Sequence, residues 1–250
     1  VSAIYSGGNI TDKNPGVEEY DYQSLGIMYL KEKETLKYGT NFNYSLGILQ
    51  SKFDFDQGSK EDITSLKAGI GYEQYLKQGS RFKYMTRGEL GVNYHDMERK
   101  IYLSNGTYKN NGDYFSGTAE WKNRLNYELP IISKNFKMDI FGSLNTGYGK
   151  FQGFKEDGDG MYLDVKSEDY FSLRPGAGVE GEWSYTTVKG SKFMLTAGAA
   201  YEYETQDIYG DGNEVKIANT DAGYYRLEEP EKIDNIFKAN VGVGYETSGG

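Results

Sequence analysis

The chain has 250 residues, a formal net charge of −9, 33 Gly, 24 Tyr, 4 Pro and no Cys, with a mean hydropathy of −0.71. Without Cys there is no disulfide and no thiolate metal site, and the acidic balance disfavours nucleic acid, whose phosphates need clustered Lys and Arg. No run approaches the ~18 apolar residues of a membrane-spanning helix, yet a β-barrel needs only every second residue to be apolar, so low hydropathy does not exclude insertion.

Residues 1–6 alternate weakly and read as the tail of a strand, not as a signal peptide, so a piece of a longer precursor is expected. The polar run 7–19, with breakers Asn14, Pro15 and Gly16, is expected to be a loop. Leu25, Ile27 and Tyr29 give the apolar parity of a second strand, and Tyr38, Phe42, Tyr44, Leu46 and Ile48 that of a third. A polar loop over 54–61 leads to Leu66, Ala68, Ile70 and Tyr72, and a turn at 78–80 leads to Phe82, Tyr84, Leu90, Val92 and Tyr94. The stretch 98–113 reads as a loop because it carries Asn105-Gly106 and Asn111-Gly112, both strong turn dipeptides.

The clearest strand is 115–129, which Pro130 closes. Phe115, Gly117, Ala119, Trp121, Leu125, Tyr127 and Leu129 share one parity, interrupted by Asn123, while Ser116, Thr118, Glu120, Lys122, Arg124, Asn126 and Glu128 share the other. Such a ribbon, tilted by about 45°, crosses a hydrocarbon layer with residues to spare. Four more strands are expected, with apolar parities at Phe136–Tyr148, Phe171–Tyr185, Phe193–Tyr203 and Phe237–Tyr245. They are separated by an acidic, solvated loop at 155–169, a tight turn at Lys189-Gly190 and the longest loop at 207–231. Ser248-Gly249-Gly250 reads as the start of another turn.

The expected fold is all-β: an antiparallel up-and-down transmembrane β-barrel, one domain over residues 1–250, with about ten strands. Connections alternate long after odd strands and short after even ones, as in outer-membrane barrels. The inward parity is expected to place Lys83, Arg87, Glu89, Glu120, Lys122, Arg124, Arg174, Glu180, Glu182 and Glu202 along the lumen, with both signs interspersed so that charges pair across it. Those groups are read either as a solvated interior or as a path that holds a polypeptide.

Other chemistry is thin. His95 is the one histidine; a strand turns it inward and Asp96 outward, so the two do not orient one another. Glu156, Asp157 and Asp159 lack the spacing of a calcium loop. Pairs such as Gly69/Gly71 and Gly176/Gly178 are read as inward glycines that relieve crowding, because no phosphate-binding lysine or helix follows. No cofactor and no enzymatic role are expected.

The strands YGTNFNYSLGILQSKF and SLKAGIGYEQYLK, with the closing KANVGVGYET, resemble the C-terminal β-domain of autotransporters, most closely those of fusobacterial outer-membrane adhesins. The resemblance covers essentially the whole chain and rests on overall texture. It implies a twelve-strand barrel, of which this chain, truncated at both ends, is expected to hold about ten strands, in the outer membrane of a Gram-negative bacterium, exporting and anchoring an N-terminal passenger by type V secretion. Outer-membrane lipid, the protein's own passenger and linker helix, and the barrel-assembly machinery are the implied partners. A pore for small solutes and a barrel hydrolase with His95 as base are the alternatives.

Overall fold

The computed structural model describes residues 1–10, 19–35, 39–130, 133, 135–188, 190–205, 213–226 and 234–246. Asn14, Pro15, Gly16, Tyr38, Lys189, the segment 248–250 and most of 207–231 lie outside the described residues, and so do the readings that fall on them.

The strands in chain order are β1 (Ser2–Ile10), β2 (Tyr20–Thr35), β3 (Thr40–Phe55), β4 (Lys60–Tyr75), β5 (Phe82–Leu103), β6 (Gly106–Glu128) and β7 (Phe136–Phe151). Three short ones follow, β8 (Phe154–Lys155), β9 (Asp157–Gly158) and β10 (Leu163–Val165). Then come β11 (Glu168–Thr186), β12 (Lys192–Tyr203), β13 (Glu214–Ile217), β14 (Tyr225–Arg226) and β15 (Asn235–Glu246). The long strands form one antiparallel meander in the order β1-β2-β3-β4-β5-β6-β7-β11-β12-β15, a half-barrel. Among the described residues no ladder joins β1 to β15. β8, β10, β13 and β14 make a separate four-stranded sheet from two of the long connections.

Strand alternation persists further than turn chemistry suggests, and several boundaries move accordingly. Residues 7–10 belong to β1, paired with 20–23 of β2, and are not loop. The expected loop 54–61 shrinks to a turn at residues 56–59, so the third connection is not long. The expected loop 98–113 is a continuation of β5 and β6, registered as far as Leu103↔Gly106 across a two-residue turn. Asn105-Gly106 does sit at that turn, but Asn111-Gly112 lies inside β6. Ladder hydrogen bonds with a neighbouring strand outweigh a local turn preference when the register continues through it.

This sheet is inside out relative to a soluble protein. Among the described residues the buried apolar ones are only Val165, Val215 and Ala218, all in or beside the small sheet. In the large sheet the buried side chains are polar, among them Ser24, Ser45, Ser65, Asn126 and Asn145, while Ile70 and Leu90 are 70% and 65% exposed. An extensive exposed apolar face is tolerable only where lipid covers it.

The aromatics fix the height of that face. Phe82 and Tyr94, Phe115 and Tyr127, Phe136 and Tyr148, and Phe171 and Trp183 are separated by the same twelve-residue interval on four consecutive strands. Register pairs Tyr94↔Phe115 and Tyr148↔Phe171 toward one end and Phe82↔Tyr127 and Phe136↔Trp183 toward the other, and the β6–β7 ladder steps by four residues between the two sets (Ala119↔Tyr148), the stagger that tilted strands require of a level row. Twelve residues span ~40 Å of strand, hence roughly 28 Å of height at a 45° tilt, which matches the apolar band of an outer-membrane barrel between its two aromatic girdles. Asn123 breaks the band, but its Oδ1 accepts hydrogen bonds from Tyr84 Oη at 2.7 Å, Thr86 Oγ1 at 3.0 Å and Trp121 Nε1 at 3.1 Å. The polar atom is therefore satisfied within the wall.

Candidate functional site

The polar face is the concave one, because its side chains meet across an intervening strand. Arg87 of β5 reaches over β4 to Asn43 Oδ1 (2.9 Å) and Ser45 Oγ (2.6 Å) of β3, and Arg124 of β6 reaches over β7 to Glu180 of β11 at 2.5 Å. Side chains on a convex face diverge and cannot do this. One cavity of about 450 Å³ on this face is walled by residues running from Asn43 of β3 to Asn240 of β15.

All ten residues singled out from the sequence project from this face, and they fall into distinct groups. Arg87 pairs with Glu89 at 3.1 Å, Glu89 bonds to Lys122, and Lys122 pairs with Glu120 at 2.8 Å, a chain of alternating sign across β5 and β6. Lys83 pairs with Glu73 at 2.9 Å. Arg124 bonds to Glu180 and lies 3.6 Å from the Phe141 ring centroid, a cation–π contact. Glu182 meets Lys192 at 3.9 Å, Arg174 meets Glu204 at 3.8 Å, and Glu202 accepts from Lys238 at 2.7 Å and Asn145 at 3.1 Å. Most of these pairs are part-exposed and worth about 0–1 kcal/mol each, so they set the charge pattern of the wall more than its stability.

Glycines make room for the long side chains. A Cβ at Gly69 would stand 2.9 Å from Arg87 Nη2, and one at Gly71 would stand 2.4 Å from Asn43 Oδ1. Crowding of this kind is the reason those inward positions lack side chains.

At the end where β5 and β6 project beyond the aromatic girdle, the connection between β7 and β11 folds back against the polar face. The acidic loop is thus not solvated throughout. Glu156 is 2% exposed and accepts two hydrogen bonds from Arg99, at 2.7 and 2.5 Å, and a third from the Leu163 N–H at 2.7 Å. Arg99 also donates to the Met161 carbonyl at 3.1 Å. β9 adds to the β6 edge at Asn110↔Gly158, where φ of +144° and a Cβ position 2.3 Å from the Lys109 carbonyl oxygen admit only glycine. Phe154 stacks on Tyr114 (4.6 Å), which stacks on His95 (4.2 Å). The small sheet and this loop form a roof, and between roof and wall lies a cavity of about 490 Å³.

His95 points inward, away from Asp96, as the alternation requires, but it is not alone. Its Nδ1 lies 2.8 Å from Glu61 Oε1 and its Nε2 2.8 Å from Ser116 Oγ. Sequence reasoning missed both contacts, along with Arg99 and the burial of Glu156: it assigned Glu61, Arg99 and Glu156 to loops, and although it turned His95 and Ser116 inward it had no register to bring them together. Extending the period-2 pattern of β4 to β6 by a few residues would have put Glu61, His95 and Ser116 on one face of neighbouring strands. Among the described residues no group of three or more His, Cys, Asp or Glu side chains is arranged to hold a metal ion.

The comparisons with known proteins agree with this architecture. A search of curated protein sequences finds no match. Among solved structures, the translocator domain of autotransporter NalP from Neisseria meningitidis superimposes with a TM-score of 0.67 at 14% identity, over 88% of this chain and 75% of that one. At that identity the likeness concerns the fold. The family model for the autotransporter β-domain matches residues 1–250, and the chain therefore belongs to the autotransporter β-domain family, whose members are outer-membrane barrels of Gram-negative bacteria.

Proposed function

We propose that this chain inserts into the outer membrane of a Gram-negative bacterium, exports a passenger N-terminal to it, and anchors that passenger at the cell surface. The carrying observation is the pairing of an apolar belt, two aromatic rows apart, with a concave wall of alternating charge on the same strands. Lipid faces the belt, and the wall lines a wet lumen. An extended polypeptide or a linker helix passing along it meets acceptors and donors of both signs, each already part-paired and part-solvated. No single register is then held tightly, which suits transit more than capture. The end carrying the β5–β6 projection, the roof and the two longest connections, β7–β11 and β12–β15, lies outside the cell, and the β2–β3, β4–β5, β6–β7 and β11–β12 connections face the periplasm. The barrel-assembly machinery is the insertion partner. The role itself is mechanical and needs no chemistry.

The test is surface display. The complete parent protein carries an epitope tag upstream of Val1, and intact cells are treated with external protease. The tag should be shaved from the surface; a tag that stays protected while the barrel is inserted refutes export.

A further inference from the structure

Beyond export, we propose that Ser116, His95 and Glu61 form a hydrolytic site for carboxylic esters of short acyl chains, seated between the lumen wall and its roof. The three side chains come from adjacent strands β6, β5 and β4, through the register Ile63↔His95↔Tyr114, and none of them serves the ion-pair chain lower in the wall. Their order is that of a nucleophile, a base and an orienting carboxylate. With Glu61 ionised, the His95 Nδ1–H donates to it over 2.8 Å, which leaves Nε2 to accept the Ser116 hydroxyl proton over 2.8 Å. Tyr114 fixes both partners: its hydroxyl donates to Glu61 Oε1 at 2.8 Å and its ring lies 8° from parallel to the imidazole. Asn93 Nδ2 stands 2.9 Å from Ser116 Oγ, an amide donor beside the place where negative charge would develop on a bound ester.

The surroundings fit an acyl group. The cavity of about 490 Å³ has Ser116, His95 and Asn93 on its wall, and Met97, Phe151, Phe154, Leu163, Val165 and Val215 supply an apolar lining. The last four of these belong to the roof, which covers one side of the cavity and places apolar surface opposite Ser116.

The reaction balances with water as the only co-reactant. Ser116 Oγ attacks the ester carbonyl as its proton passes to His95 Nε2; the C–O bond to the alcohol breaks, and the alcohol leaves with that proton. Water then attacks the acyl-Ser116 carbonyl, gives a proton to His95, and releases the carboxylic acid as the proton returns to Ser116 Oγ.

The experiment uses the whole chain folded in detergent micelles, its folding followed by heat-modifiable gel mobility, with a fluorophosphonate probe and p-nitrophenyl butyrate. The probe should bond to Ser116 Oγ with loss of fluoride, and the butyrate should be cleaved. Ser116→Ala should remove both signals; His95→Ala should slow them about 100-fold or more, and Asn93→Ala comparably, while the fold persists. A network that only holds the strands together would change unfolding and leave labelling unaltered. Folded wild-type protein that is not labelled, or a folded Ser116→Ala chain labelled as fast as wild type, overturns the proposal.

Discussion

Replacing Glu156 with alanine removes three hydrogen-bond acceptor contacts at one point of the roof. The Arg99 guanidinium and the Leu163 N–H lose their partner together. Breaking a fully buried ion pair by deleting one member costs ~3–5 kcal/mol. Arg99 keeps 27% of its side chain exposed and retains the Met161 carbonyl, so water can compensate part of the loss, and a cost of about 2–4 kcal/mol is expected. That cost falls on the roof and not on the barrel, because the β5–β6 ladder beneath is registered independently of Glu156. At 1.4 kcal/mol per decade, opening of the roof becomes roughly 30- to 700-fold more frequent. Hydrogen exchange of the amides at 154–165, with barrel integrity followed by heat-modifiable mobility, measures it. Replacing both Arg99 and Glu156 with leucine should recover much of the protection, since no unpaired charge is then buried. Exchange of the roof that changes by less than twofold in Glu156→Ala would refute the clamp.

Two further outcomes test the wall. Leu90→Arg, at mid-height of the apolar belt, should destabilise the inserted barrel by about 2–4 kcal/mol in urea titrations in lipid vesicles, whereas Asp96→Arg, beyond the aromatic row, should cost under about 1 kcal/mol. Equal costs at the two positions would contradict the assigned belt. Gly178→Val brings a Cβ to 2.4 Å from the Phe141 ring and 2.6 Å from the Ala199 carbonyl oxygen, so either the ring that Arg124 covers or the ladder must shift. A loss of about 1–3 kcal/mol in the same titration is expected, and an unchanged midpoint would mean the wall is less crowded there than its geometry indicates.

The fold was legible in the sequence because strand alternation is a local property. A residue's face depends only on its parity, so the lipid side of β6 could be read from Phe115, Ala119, Trp121, Leu125 and Tyr127 without knowing any neighbour. The twelve-residue spacing of aromatics is likewise written in the chain, as is the inward direction of His95, Arg87 and Lys122. Strand ends were less legible: Asn111-Gly112 is a strong turn signal, yet β6 runs straight through it because β5 on one side and β9 on the other supply ladder partners.

Which inward groups meet was decided by register and curvature. Glu61, His95 and Ser116 are 34 and 21 residues apart in pairs, and only the pairing of β4, β5 and β6 sets them side by side. Arg124 finds Glu180, skipping β7, because the sheet bends toward its polar face. Glu156 lies in an acidic segment that by composition belongs in water; the docking of that segment against Arg99, Tyr114 and the β6 edge buries it. Parity is a property of single residues and can be read one strand at a time, whereas contact is a property of pairs, and pairs exist only once the sheet has chosen its register and closed part of its curve.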